Sequence, residues 1–424
     1  MRSFVNEVKT LQTTAVEGHI FDSKHLDPLG RLLVQATLRQ YFWFDALTNE
    51  LLEKPLPKKH RDLHLLIMIG LCAIDTLNQP QHTSVNATVE TAKRLNKRWA
   101  SSLTNATLRR YLRDRSDIQS RVVDPVAIHN HPIWMLDQFR VDLPKHYPAV
   151  ILANNHPGPM TLRVNILRQS RAAYLDRLDA AGLHAEPSNL SPQGLQFKSP
   201  VPISKLPGFE DGSVSIQDEG AQLAALLLDP QPGERILDAC SAPGGKSCHL
   251  LELEPSINLI STDIDPSRLE RVRDNFDRLG VDGEINCLDL AQDQPQLGTF
   301  DKILLDVPCS ASGVVRRHPD IKLLRRASDL NDLVEHQKRF LLSTWARLRP
   351  GGVLLYATCS IFSAENERVV SQFLEAHPDA SILPLPEVGV PRTLLAGWRN
   401  ADNAHNAQNA HNADNADKLA TLTL

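Results

Sequence analysis

From about residue 213 onward, short apolar runs alternate with longer amphipathic segments, and this alternation narrows the possible folds more than any other feature. Ile236-Leu237, Leu259–Thr262, Ile285–Leu288, Lys302–Leu305 and Val353–Ala357 read as strands. A helix running through Leu251, a second over Ser267–Leu279 closed by Gly280, and a third over Asn331–Leu348 read as the connections. Strands separated by helices give a doubly wound parallel α/β sheet, which binds ligands at the carboxyl ends of its strands.

The residues at those strand ends are polar and specific. The first strand runs into Asp238-Ala239-Cys240-Ser241-Ala242-Pro243-Gly244-Gly245-Lys246. A glycine pair there lets the backbone come close to a ligand. Gly244-Gly245-Lys246-Ser247 invites comparison with a phosphate-binding P-loop, but Cys240 stands where that motif needs its first glycine. A nucleoside held without a phosphate cradle is the better reading, with Cys240, Ser241, Ala242, Pro243, Gly244, Gly245 and Lys246 as its loop. Asp263 closes the second strand 25 residues after Asp238, a place suited to accepting ribose hydroxyls. Asp289 follows the next strand, where it could meet an adenine amino group. Each carboxylate alone could be a helix cap; three at successive strand ends favour a nucleoside site.

Two cysteines occupy further strand ends, 50 residues apart: Cys309 in Asp306-Val307-Pro308-Cys309-Ser310 and Cys359 in Tyr356-Ala357-Thr358-Cys359-Ser360. The bland alternative is a pair of buried core thiols, but the polar, turn-forming residues around both weigh against it. The chain's six cysteines, at 72, 240, 248, 287, 309 and 359, show no CxxC spacing, and its 16 histidines form no HExxH. Reduced thiols are expected, with no disulfide frame and no metal.

Ahead of the α/β region, residues from about 26 to 120 show helical apolar spacing broken by Pro55-Leu56-Pro57 and Gln79-Pro80, which predicts a small helical bundle. Residues 1–25 look atypical of it. Residues 126–212 are proline-rich and mixed; Thr161–Asn165 reads as a short strand, and Arg163 on it is a candidate RNA contact. The expected division is therefore 1–125, 126–212, 213–395 and 396–424. The last segment repeats Asn-Ala-x six times from Asn400 to Asp417, a polar low-complexity run that reads as disordered. Net charge is −4, yet residues 1–125 hold 18 Lys+Arg against 13 Asp+Glu. Lys93, Arg94, Lys97 and Arg98 cluster on one helix, and Arg109, Arg110, Arg113 and Arg115 on another. Such clusters attract phosphate backbones, or are simply solvated faces. The amino terminus carries no apolar signal, and Leu65–Ile74 is too short to cross a bilayer, so a cytoplasmic monomer without membrane contact is expected.

Asp-Ala-Cys-Ser-Ala-Pro-Gly-Gly-Lys (238–246), Asp-Val-Pro-Cys-Ser (306–310) and Ala-Thr-Cys-Ser (357–360) together resemble the S-adenosylmethionine-dependent RNA cytosine-C5 methyltransferases. Ile216-Gln217-Asp218 and Glu365-Asn366-Glu367 match as well, and the helical region resembles the NusB-like domain of the bacterial RsmB (Sun/Fmu) branch. The resemblance spans about residues 26 to 375. It implies a Rossmann-like methyltransferase domain preceded by an all-α NusB-like domain. It also implies S-adenosyl-L-methionine as cofactor and 16S ribosomal RNA as substrate, at the cytosine conventionally numbered 967. Carried over residue by residue, Cys359 adds to cytosine C6, Cys309 assists release, Asp306 faces the N3 edge and the cofactor, and Lys246 positions base or cofactor. Arg316, Arg317, Arg325 and Arg326 could hold flanking phosphates. The alternatives are the same chemistry on tRNA or 23S rRNA, or a decayed, non-catalytic RNA-binding factor. The family's closing Gly-Phe-Phe strand is missing after Leu385, which leaves decay open.

Overall fold

A computed structural model describes residues 3–292, 294–383 and 419–423. It divides into two compact units, Met1–Gly158 with Ala311–Asp329, and Pro159–Ser310 with Leu330–Leu424.

The first unit is helical: α1 (Val5–Ala15), α2 (Pro28–Arg39), α3 (Tyr41–Leu51), α4 (Arg61–Asp75), α5 (Gln81–Arg94) and α6 (Ser101–Ser120), followed by the short α7 (Pro125–His129), α8 (Ile133–Asp142) and α9 (Tyr147–Asn154). Leu63 through Ile74 of α4 are all buried, as expected of a helix that is apolar on every side and forms the centre of a bundle. Gly70 permits this crowding, because a Cβ there would lie 2.8 Å from Thr88 Oγ1 of α5. Asp27 caps α2, its Oδ1 accepting Gly30 N–H at 2.6 Å ahead of Pro28 in the first turn. Apolar spacing places the start of the bundle near residue 26, but it starts at Val5. Phe4, Val8 and Leu11 are 4%, 0% and 0% exposed.

The second unit opens with an antiparallel sheet of β1 (Met160–Val164), β2 (Glu186–Pro187), β3 (Gly194–Phe197) and β4 (Val214–Ile216) in the order β2-β3-β1-β4, with α10 (Arg171–Ala180) between β1 and β2 in sequence. Leu162, Tyr174, Leu195 and Val214 form its core. After α11 (Glu219–Leu228) comes the large sheet: β5 (Arg235–Asp238), α12 (Gly245–Leu253), β6 (Asn258–Asp263), α13 (Pro266–Leu279), β7 (Glu284–Cys287) and β8 (Phe300–Asp306). Helix α14 (Ile321–Leu324) lies in the segment that belongs to the first unit, and α15 (Asp329–Trp345), β9 (Leu348–Thr358), α16 (Glu367–Ala376) and β10 (Leu419–Thr423) follow among the described residues.

The strand order is β10-β9-β8-β5-β6-β7, and every pairing is parallel. From β5 the chain moves outward to β6 and β7, then returns to β8 on the other side. The order thus reverses between β5 and β8, the place where such sheets bind ligands. Apolar clusters built around Ile236, Leu251 and Leu269 and around Ile303, Leu341 and Tyr356 belong to this sheet and its helices. The expected strands and the α13 C-cap are present; Gly280 takes φ 68° and donates to Phe276 O. The terminal tail requires a correction. Residues 384–418 lie outside the described residues, but Leu419–Thr423, expected to be disordered, pair with Leu354–Thr358 of β9.

Candidate active site

The β5–α12 turn lies at the reversal point and is held from several sides. Ser241 N–H donates to Thr262 O at 2.8 Å, Arg268 Nη2 to Ala242 O at 3.0 Å, and Asn275 Nδ2 to Pro243 O at 2.9 Å. Gly244 sits at φ 95° with Val272 Cα 3.1 Å from where a Cβ would be, so only glycine fits. A Cβ at Gly245 would meet only the Gln217 side chain, at an ordinary contact distance of 3.6 Å from Nε2. Two buried polar atoms of this turn, Asp238 Oδ1 and Ser241 Oγ, have no hydrogen-bond partner. Asp238 takes a hydrogen bond from Ser247 Oγ at 2.5 Å, yet burial pushes its carboxyl up to about 7. Burial and then the carboxylates of Asp306, Asp238 and Asp263 push the Cys240 thiol well up, which makes it a poor nucleophile. The turn therefore combines acidic groups with unmet hydrogen-bonding capacity. That donor set fits a cationic nucleoside such as S-adenosylmethionine.

The other cofactor candidates are partly engaged. Asp263 ends β6, 4% exposed, and its carboxylate lies 3.3 Å from Arg268 Nη1. Asp289, two residues beyond β7, accepts Ala291 N–H at 3.0 Å and Gln292 Nε2 at 2.8 Å, so it caps its own turn. Asp306 ends β8 and receives Lys246 Nζ at 2.5 Å. Burial opposes the charge on Lys246, but Asp306 overrides it and raises the ammonium above its ordinary value.

Cys309 and Cys359 follow the adjacent strands β8 and β9, and their Sγ atoms are 3.2 Å apart. Cys309 is 6% exposed, and Cys359 is the more accessible. The hydrogen bond from Cys309 lowers the Cys359 thiol below its ordinary value, against burial and against the charge of Asp306. A buried carboxylate holds both loops. Glu365 Oε1 accepts Ser310 N–H at 2.7 Å and Gln337 Nε2 at 3.0 Å, while Oε2 accepts Ser310 Oγ at 2.5 Å and the Ser360 hydroxyl. Ser310 follows Cys309 and Ser360 follows Cys359, so a single side chain spans the loop after each thiol. Asn366 adds to this, accepting Thr358 Oγ1 at 2.6 Å and donating to Ser360 O at 3.0 Å. The sequence marks Glu365-Asn366 as part of a motif but gives them no role.

The arginines divide differently from expectation. Arg163 is 0% exposed and does not face solvent. Its Nε and Nη2 donate to Glu252 of α12 at 3.0 and 2.7 Å, and Nη1 donates to Gly245 O at 2.7 Å. A guanidinium so committed cannot hold phosphate; it fastens β1 to the glycine turn. Arg316, Arg317, Arg325 and Arg326 fall in the helical unit. Arg316 Nη2 donates to Pro157 O at 3.0 Å, Arg317 packs on Gly158, and Arg326 is the exposed member of the four.

Family models match three stretches: the NusB family at residues 6–113, the Methyltr_RsmF/B-like ferredoxin-like domain at 131–204, and the 16S rRNA methyltransferase RsmB/F at 225–401. The "Ribosomal RNA small subunit methyltransferase B" of Vibrio cholerae is 42% identical over 363 residues, 85% of this chain and 84% of its own. This chain belongs to that family. The "Probable ribosomal RNA small subunit methyltransferase B" of Coxiella burnetii is 40% identical over 83% of this chain and 84% of its own. Among solved structures, PH0851 shares the fold with a TM-score of 0.74 at 22% identity, over 91% of this chain and 93% of its own. A methyltransferase homolog from Pyrococcus horikoshii reaches 0.50 at 29% identity over 57% of this chain and 83% of its own. The helical unit's bundle is thus a NusB domain, and the large sheet a Rossmann-like methyltransferase domain. Among the described residues no helix is long and apolar enough to cross a membrane, and no cluster of His, Cys, Asp and Glu could hold a metal.

Proposed function

We propose that this protein methylates C5 of a cytosine in 16S ribosomal RNA, with S-adenosylmethionine as methyl donor and Cys359 as the attacking nucleophile. The contact that carries the reading is the 3.2 Å pair of thiols at adjacent strand ends, with the Cys359 thiol lowered by Cys309. Asp238, Ser241, the Gly244-Gly245 turn, Asp263 and Asp306 would hold the cofactor. When bound, it supplies a methyl group on a positively charged sulfur.

Cytosine C5 is a weak nucleophile until C6 is attacked. The Cys359 thiolate forms a bond to C6, and the ring electrons move toward C5, giving an enamine. Asp306, kept at hand by Lys246, would face the pyrimidine edge, where N3 takes a proton from solvent as C6 is attacked and returns it on release. Once C5 carries the methyl group, loss of its proton to a base reforms the C5–C6 double bond and expels the Cys359 thiolate. Cys309 assists that release. The target base must be unstacked to enter such a site.

Denaturing gels of protein incubated with 16S rRNA and cofactor test the assignment. Cys359→Ala should give neither methylation nor adduct, whereas Cys309→Ala should accumulate a covalent protein–RNA adduct. An adduct with Cys359→Ala and none with Cys309→Ala would reverse the roles.

A further inference from the structure

The helical unit carries a surface that the methyl-transfer chemistry does not use. The connections α3–α4 and α5–α6 each form a short 3-10 turn, Lys58–His60 and Arg98–Ala100. The two turns meet. The rings of His60 and Trp99 lie 5.1 Å apart with their planes at 63°, and Lys97 Nζ donates to Lys59 O at 3.5 Å. Trp99 is 56% exposed, whereas Trp43, Trp134 and Trp345 are partly or fully buried. An indole left in water on an otherwise well-packed bundle forgoes the burial that tryptophan usually gains.

Charge around the ring is one-sided. Lys58, Lys59 and Arg98 are exposed beside it and make no ion pair among the described residues. The neighbouring carboxylates are already engaged, Asp62 by Lys97 and Asp45 by Arg61 and His64. Residues 95–100 contain no acid, and residues 52–60 contain only Glu53. An aromatic face amid unpaired cations suits a ligand that offers both a π-surface and a negative backbone. An acidic peptide would satisfy the cations but leave the indole without a stacking partner.

We infer that this surface docks an unpaired segment of the RNA substrate, a base stacking on Trp99 while adjoining phosphates meet Lys58, Lys59 and Arg98. The inference rests on the proposed RNA-methylating function and adds to it a binding site on a separate part of the chain. The test uses the full chain and a single-stranded RNA oligonucleotide of mixed sequence, with Kd measured from low to high KCl. Trp99→Ala should weaken binding about tenfold, the loss of one stacked base, and Trp99→Phe should recover most of it. The triple variant K58Q/K59Q/R98Q should flatten the slope of log K against log salt by about 2. Unchanged melting temperatures would show that these exposed positions leave the fold intact. With 16S rRNA as substrate, Trp99→Ala should raise KM for RNA while kcat holds at saturation. Unchanged RNA affinity and KM in Trp99→Ala, in a protein that still methylates, would overturn the platform and leave the proposed function standing. Equal losses on double-stranded RNA, or lost binding to poly-glutamate with RNA binding intact, would overturn it too. Absence of methyl transfer by the unsubstituted chain would instead strike at the function.

Discussion

Glu365→Gln is the substitution that most directly probes how the two thiols are held together. Four donors converge on the Glu365 carboxylate, two N–H groups on Oε1 and two hydroxyls on Oε2. A glutamine can keep its amide oxygen toward the N–H donors and turn its NH2 toward the hydroxyls, which can rotate to accept. No polar group is orphaned, but all four bonds lose their charge assistance. Hydrogen bonds to a charged group contribute about 1 kcal/mol more than neutral ones, so the gross loss is about 4 kcal/mol. A buried charge also no longer has to be desolvated, which returns part of that, and a net loss of about 2 kcal/mol is expected. Urea unfolding should show it as a lower midpoint with an unchanged slope. The rate should suffer more than the stability, because a shift of about 1 Å in a reacting group can cost about a hundredfold. We therefore expect kcat to fall with KM for S-adenosylmethionine unchanged, since the glycine turn does not touch Glu365. Glu365→Ala would strand all four donors at about 1–3 kcal/mol each, comparable with the whole stability of a domain, and should not fold. A Glu365→Gln protein with wild-type midpoint and wild-type kcat would refute the idea that this carboxylate sets the cysteine geometry.

Three further outcomes follow from the same structure. Iodoacetamide should alkylate Cys359 with a pH midpoint below the ordinary thiol value of 9.0; Cys309→Ala should move it upward and Cys309→Ser less so, because the thiolate gains from the donor that Cys309 supplies. Arg163→Ala should destabilise the protein by about 3–5 kcal/mol by leaving Glu252 charged and unpaired; Arg163→Lys, lacking the planar fork, should remain folded but weaken S-adenosylmethionine binding, as read by calorimetry. A chain ending at residue 399 loses Leu419–Thr423, bares the edge of β9 and should melt lower and aggregate more readily in light scattering; an unchanged melting temperature would show β10 to be dispensable.

The large sheet is legible in the sequence because each of its signals is local. Apolar runs of strand length, a helix stopped by Gly280 and carboxylates at strand ends can all be recognised within about ten residues. What is missed depends on distant partners. Helix α1 carries Val8 and Leu11, with Phe4 at its N-cap, at helical spacing, but among polar neighbours such a stripe means little until α2 and α4 are there to cover it. The segment after Cys309 contains Arg316-Arg317 and looks like a solvated basic loop. Only its fold-back into the helical unit shows Lys322 buried, donating to Arg39 O at 2.6 Å.

Arg163 and Glu365 show where a sharper reading was available. Arg163 is the one charge on β1, between Leu162 and Val164, and Glu252 is the one acid on α12, between Leu251 and Leu253. A lone cation on a strand and a lone anion on a helix of one domain are better read as each other's buried partner than as two surface groups. The two cysteines mark the limit of that kind of reasoning. Both follow apolar strands, both precede serine, and spacing alone treats them alike. The asymmetry arises from the fold, which leaves Cys309 6% exposed, gives Cys359 the freer position, and sets the two close enough for one thiol to stabilise the other's anion. Under the proposed mechanism, nucleophile and helper are set apart by surroundings that β8, β9 and Glu365 assemble jointly, which is why Glu365 should govern that reaction without touching the base.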